Sequence, residues 1–431
     1  MADTFRAHWL VLQAQLGGAP AHGPLSLAAA DAGGCLGDAD SEDGDQSPRL
    51  QRALCRQLEQ HEVAQLDAEL RLLPPITLAG FGLIPDPRLA SWAEMCSIGR
   101  SFVSALPSRA YQPTALEFRE LVAIYLGAPS PLAAALGIGR PVRSARRAQS
   151  TLLLDPWGFA LTATFEPAGQ SVGSWRVHHD ALVHLFYGDA MRAGVPGRTE
   201  PHGIFSDLLP APLGRQRRGC REGLVPDALL DRRRPGSDDE WCPHLHDLKI
   251  IHMCQTRYTQ ERVLLAPPAQ CAGVRAAAVH GGYLAHARSL DARHHAGVAD
   301  ASARPILQRL LQYPEVRGDC VGAFGECSSD LHLLLSDTVR SAAERHWREA
   351  GATSARAAQS VYTAIYRRRW GCETALQGAR LRFARAYLVS GGDIGGAPRG
   401  GTRPTFDPGD ADHFAAAASP VLRGMPAGQR N

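Results

Sequence analysis

Residues 222–254, EGLVPDALLDRRRPGSDDEWCPHLHDLKIIHMC, decide the fold. Two apolar segments, EGLVPDALL at 222–230 and HLHDLKIIHMC at 244–254, flank a polar connection that carries Pro235 and Gly236. That pattern predicts two strands joined by a loop. The first strand holds Pro226-Asp227 and the second holds Asp247-Leu248-Lys249. Residues two apart on a strand share a face, so Asp247 and Lys249 project together while Leu248 and Ile250 enter the opposite layer. If the strands pair, Asp227 comes beside Asp247, and two carboxylates and one ammonium converge.

The segments around this pair read as further elements. A helix is expected at 175–193 and a short strand at 195–205. A helix at 272–291, a buried strand at 317–324 and a helix at 329–350 follow. The resulting order is α-β-β-β-α-β-α, an α/β fold within a domain at 151–350. Helices at 353–370 and 373–389 make a C-terminal pair. On the N-terminal side, helices at 49–72, 88–106 and 115–126 form a helical region over 49–150, with 127–150 a Pro/Gly/Arg-rich connection. The first of them keeps Leu58, Val63, Leu66 and Leu70 near helical spacing and stops at Pro74-Pro75. The Gly- and acid-rich segment 17–48 and the tail 390–431 are expected to be disordered.

Composition narrows the chemistry. Of 46 Lys and Arg in 431 residues, Lys249 alone is lysine. A GC-rich coding bias replaces Lys by Arg wherever either serves, so the one surviving Lys marks a position where a compact, tunable ammonium is needed. Two carboxylates can hold Mg2+ (or Mn2+) with several positions left to water. Such an ion polarises a phosphodiester and lowers the pKa of a bound water, while a neighbouring Lys orients or deprotonates the attacking water.

PD…DxK on adjacent strands in this element order resembles the PD-(D/E)XK restriction-endonuclease-like superfamily, over about 175–350. The resemblance implies that Asp227 and Asp247 are metal ligands and Lys249 the catalytic lysine. Many members add an acidic residue from the first helix. Here that helix offers Asp180 and Asp189, and Glu200 in the next strand is the expected further site residue. A second resemblance concerns PPITLAGFGLIPDPRLASW at 74–92, DPWGFALTATF at 155–165 and RVHHDAL at 176–182. These are similar to segments that follow the polymerase and precede the endonuclease in non-LTR retrotransposon proteins. No YxDD polymerase motif occurs, so the relation implies a C-terminal part of such a protein. The implied activity is metal-dependent DNA cleavage, the partner is DNA, and the location is intracellular and compatible with the nucleus.

Other readings compete. The Asp227/Asp247/Lys249 set could be an ion pair on an ordinary surface hairpin, or the site of a nuclease fold that has lost activity and serves as a binding module. In a third reading 222–254 is unpaired within a helical interaction protein. Cys242, His244, His246, His252 and Cys254 invite a zinc reading but lack a matched second pair of ligands. The arginines of 215–221 and 232–234 are phosphate contacts in one reading and solvated loop residues in the other. Tyr283 and Arg288, on the helix after DxK, are candidate auxiliary groups. No transmembrane run, secretory leader, GxGxxG or GxxxxGK[ST] is present, which argues against a membrane anchor and a nucleotide cofactor. Ten Cys without a CxxC pair suit free thiols.

Overall fold

The computed structural model describes residues 47–104, 113–143, 151–163, 175–201, 203–209, 224–233, 241–253, 256–265, 270–296 and 304–390. The expectations for 17–46 and 391–431 lie outside them. The chain divides into two units at Leu72/Leu73. In the first, helix α1 (Ser47–Arg71) covers the predicted 49–72 and carries i,i+4 pairs, Gln65 with Glu69 at 3.0 Å and Arg71 with Asp67 at 2.6 Å.

The second unit opens with a hairpin, β1 (Ile76–Leu78) and β2 (Gly82–Ile84). Helix α2 (Pro87–Glu94) starts on an Asp86 cap with Pro87 in its first turn. The predicted helix 88–106 is interrupted: Met95 and Cys96 are extended, and the chain resumes as α3 (Ser97–Arg100) and a 3-10 turn, Ser101–Ser104. Helix α4 (Ala115–Leu126) has a Thr114/Glu117 capping box and a left-handed Gly127 at its end, as 115–126 predicts. The expected connection 127–150 contains helix α5 (Pro131–Leu136) and strand β3 (Pro141–Arg143), which pairs with β4 (Thr151–Leu153). Ser130 caps α5 and Pro131 begins it, so the prolines there start structure instead of breaking it. Helix α6 (Phe159–Ala163) closes this part.

Next come α7 (Trp175–Ala193), β5 (Gly197–Thr199), β6 (Ala228–Arg233) and β7 (Trp241–Ile250). They are followed by α8 (Gln260–Leu265), α9 (Gln270–His294), α10 (Pro305–Leu310), β8 (Val316–Val321), α11 (Ser329–His346) and α12 (Ala355–Ser390). The sheet order is β5-β6-β7-β8, antiparallel up to β7 and parallel from β7 to β8, with α9 and α10 on the crossover. One sheet face buries Leu230, Leu248 and Val321 against α7 and α11; the other buries Leu245 and Val316 against α9 and α10. The chain is thus mixed α/β and mostly helical, built around a four-stranded mixed sheet.

The strands differ from expectation in their limits. The predicted 195–205 shrinks to three residues. The predicted 222–230 becomes β6, which starts after Asp227 and runs on through Arg233. Arg232 and Arg233 were expected in a loop; they lie on β6 and meet Asp337 (2.7 Å) and Glu344 of α11. Packing is close at Gly318 in β8, where an added Cβ would lie 2.6 Å from the Ala276 backbone of α9. The two predicted C-terminal helices are one. At Gly371, mid-helix, the bare backbone lets Ile98 and Ser101 press in, and an added Cβ would lie 2.2 Å from each. α12 therefore packs on α3, α4, α5, α6, α7 and α11 and joins the helical layer to the sheet.

Candidate active site

Asp227 immediately precedes β6. The ladder ends at the Ala228–His246 pair, and the Asp227 N–H also donates to the His246 carbonyl at 2.8 Å, which holds Asp227 at the edge of the strand pair near Asp247. Its side chain takes over where the ladder stops: the Leu248 N–H donates to Asp227 Oδ2 at 2.7 Å. His179 Nε2 on α7 stands 3.1 Å from that oxygen and 3.1 Å from the Leu248 carbonyl oxygen. A carbonyl only accepts, so Nε2 carries the ring proton and links helix, strand and carboxylate. Asp227 is 3% exposed.

Asp247 is equally buried and shares its face with Lys249, whose ammonium lies in ion-pair contact with Oδ2. Beyond Lys249, that buried oxygen has no hydrogen-bond partner among the described residues. Burial, and next the charge of Asp227, push the Asp247 carboxyl up to about 6, against the pull of Lys249 and His179. Behind the strand, Asp319 of β8 adds a third buried carboxylate. Its Oδ2 accepts from the Tyr187 hydroxyl at 2.9 Å and lies 2.8 Å from His246 Nδ1. Burial and these acids push the Tyr187 hydroxyl up as well.

Asp247 and Lys249 face a cleft of about 260 Å3 between β7 and α9. Arg275, Tyr283 and His286 of α9 line its far wall, and Gly282 leaves room between them. The strand alternation read from the sequence is therefore realised: Leu248 is core on the α7 side, and Asp247 and Lys249 open toward α9. Arg275 and His286 were not foreseen, although both sit on the helix expected to contribute. Arg288, named from the sequence, is exposed and does not line the cleft. Glu200 donates its N–H to the Asp227 carbonyl at 2.8 Å with a left-handed φ of 45°, but it is not among the cleft residues. Asp189, the deeper acid of α7, is held by Arg369 (2.7 Å) and Trp370 Nε1 (3.0 Å) of α12. Asp180 pairs with Arg176 at 3.6 Å. The α7 residue that reaches the site is His179, within the RVHHDAL segment.

Among the described residues no three His, Cys, Asp or Glu side chains are grouped to hold a metal ion. His246, one of the zinc candidates, is buried against Asp319, and Cys254 lies outside the described residues. Asp227 and Asp247 remain as a two-carboxylate set. Two buried carboxylates, the charge of one raising the other, fit a hard cation that takes its other ligands from water or phosphate. No protein-family model matches the chain, and no curated protein or solved structure is significantly similar to it.

Proposed function

We propose that residues 175–346 form a PD-(D/E)XK, restriction-endonuclease-like domain and that the protein cleaves DNA phosphodiester bonds with the help of Mg2+ or Mn2+. The observation that supports this reading is the nearness of two buried carboxylates, Asp227 raising Asp247 by its charge, with Lys249 beside Asp247 at the cleft. The helix-strand-strand-strand-helix-strand order and the parallel β7–β8 pair support it. Asp227 and Asp247 would hold the ion, which supplies Lewis-acid activation of the phosphodiester when bound. Lys249 stands one strand step along from Asp247, where it can orient the attacking water and move its proton. Arg275 and His286 face Lys249 across the cleft and suit a phosphate oxygen. His179 fixes the Asp227 carboxylate through its proton. The resemblance of 74–92 and 155–182 to retrotransposon segments suits a DNA substrate and a nuclear setting.

A second reading is a nuclease fold that binds without cutting. The absence of a third grouped ligand among the described residues, and the contact of Lys249 with Asp247, favour it. Mg2+-dependent nicking of supercoiled plasmid by wild type and by Lys249→Ala separates the two. Nicking abolished by the substitution supports the enzyme. An intact, metal-supplied wild type that does not nick supports the binding module.

A further inference from the structure

Away from the cleft, two thiols from different layers meet on one backbone oxygen. The chain breaks between α2 and α3 because Met95 and Cys96 are extended, Cys96 at φ −88° and ψ 176°. Cys96 Sγ there lies 3.3 Å from the Gly325 carbonyl oxygen, across 229 residues of chain. Cys327 Sγ lies 3.8 Å from the same oxygen. The Cys327 backbone forms a bridge to Val321 at the end of β8, so the sheet holds this thiol and the helical layer holds the other. The two thiols also hydrogen-bond to one another, and the half-buried His332 of α11 bonds to the Cys96 sulfur. Cys96 is 8% exposed and Cys327 2%, so a small reagent from solvent meets Cys96 first.

We propose that Cys96 and Cys327 are a thiol pair that a hydroperoxide oxidises to a disulfide, with Cys96 attacking and Cys327 resolving. The thiolate, not the thiol, is the nucleophile. The hydrogen bond from Cys327 holds the Cys96 thiol down, to about 4, against burial and with help from His332 and the Gly99 N–H. As a thiol Cys96 donates to Gly325; once ionised it accepts from Cys327 and His332 instead. Other buried thiols go the opposite way. Burial pushes up Cys271, Cys320 and Cys372, the last to about 11, and the bond to Cys96 pushes up Cys327. In the first step the Cys96 thiolate attacks a peroxide oxygen. The S–O bond forms, the O–O bond breaks, and the hydroxide released leaves as water with the proton Cys96 gave up. In the second step the Cys327 sulfur attacks the Cys96 sulfenic acid. The S–S bond forms, the S–O bond breaks, and a second water carries off the Cys327 proton. Two thiols lose two electrons, and one peroxide is reduced. The bond would pin the α2–α3 junction to the sheet. The inference does not rest on the nuclease reading.

The test treats the reduced full chain with hydrogen peroxide, stops the reaction with acid, blocks the remaining thiols under denaturing conditions and maps the peptides by mass spectrometry. The peptides holding Cys96 and Cys327 should appear joined and two hydrogens lighter, within one chain, and dithiothreitol should separate them. Before oxidation, iodoacetamide should modify Cys96 about tenfold faster than Cys271 or Cys320. Cys327→Ser should stop at the sulfenic acid, which dimedone captures on Cys96, and Cys96→Ser should leave Cys327 unmodified. The mapping needs no variant, so a variant that failed to fold would leave the wild-type result standing. Peroxide treatment that yields no joined 96–327 peptide, a bond that links Cys96 of two copies instead, or Cys96 no more reactive than Cys271 would each overturn the assignment. None of these results depends on whether the protein cuts DNA.

Discussion

Asp247→Asn should make the protein more stable at neutral pH, even though the substitution strikes the centre of the proposed site. The Asp247 carboxyl is raised from 3.8 to about 6 by burial and by Asp227. A carboxyl whose folded-state pKa is raised holds its proton more tightly in the folded state. Its favourable neutral form is fully present below about pH 4 and is lost as pH rises through about 6. Ionising it at pH 7 therefore costs about two pH units at about 1.4 kcal/mol each, or about 3 kcal/mol. Asn has nearly the same shape and no charge, so it should recover most of that, raising Tm by about 5 °C for a unit of this size. Wild type and variant should be melted in parallel at pH 7.5 and pH 4 in the presence of a chelator. The gain belongs to the higher pH alone. A variant that is less stable at pH 7.5, or whose gain is the same at both pH values, would refute the assignment of an under-compensated charge to Asp247. Saturating Mg2+ adds a second arm: it should raise the Tm of the wild type and leave that of Asp247→Asn unmoved.

Lys249→Arg should lower plasmid nicking nearly as far as Lys249→Ala, by a hundredfold or more. Arg keeps the charge but is bulky, planar and unable to give up a proton near neutral pH; full activity in the Arg variant would mean that charge alone suffices. Gly318→Ala should destabilise by about 3 kcal/mol in chemical denaturation, because its methyl would press on the Ala276 backbone, and an unchanged midpoint would mean that α9 does not sit so close to β8. Asp189→Ala should cost about 3–5 kcal/mol by leaving Arg369 and Trp370 without their shared acceptor; a loss below 1 kcal/mol in the same assay would show that α7 and α12 do not depend on it.

What the sequence disclosed and what it hid follow from the range of the interactions. The strand pair at the centre was legible because period-two alternation and a polar loop are local signals. The side chains of Asp247, Leu248 and Lys249 fall on the faces that alternation requires. The start of β6 was not legible, because Asp227 ends the ladder with its own carboxylate, a contact across to Leu248 that no local pattern encodes. His179 was passed over for a similar reason. Its significance lies in two oxygen atoms supplied by other elements, one of them 69 residues away in the chain. The split of the predicted helix 88–106 and the fusion of 353–370 with 373–389 share one contact. Glycine at 371 reads as a stop, yet here it is the point where the Ile98–Ser101 turn meets the helix backbone. The arginines at 232 and 233 looked like loop residues because their partners on α11 lie 105 and 111 residues further on.

The length of α12 bears on how the chain reaches its native state. Ser101 Oγ lies 2.6 Å from the Arg367 carbonyl, 266 residues apart in sequence, and Arg385 Nη1 reaches the Thr162 carbonyl at 3.0 Å across 223 residues. During synthesis, α2 to α6 emerge long before the helix that covers them. They carry buried residues such as Leu89, Ile98, Leu132 and Leu161, all fully enclosed in the finished protein. Until residues near 390 are made, that apolar surface has no lid, and closing so wide a loop is slow. The core of the α2–α6 layer is thus completed only once α12 has been made.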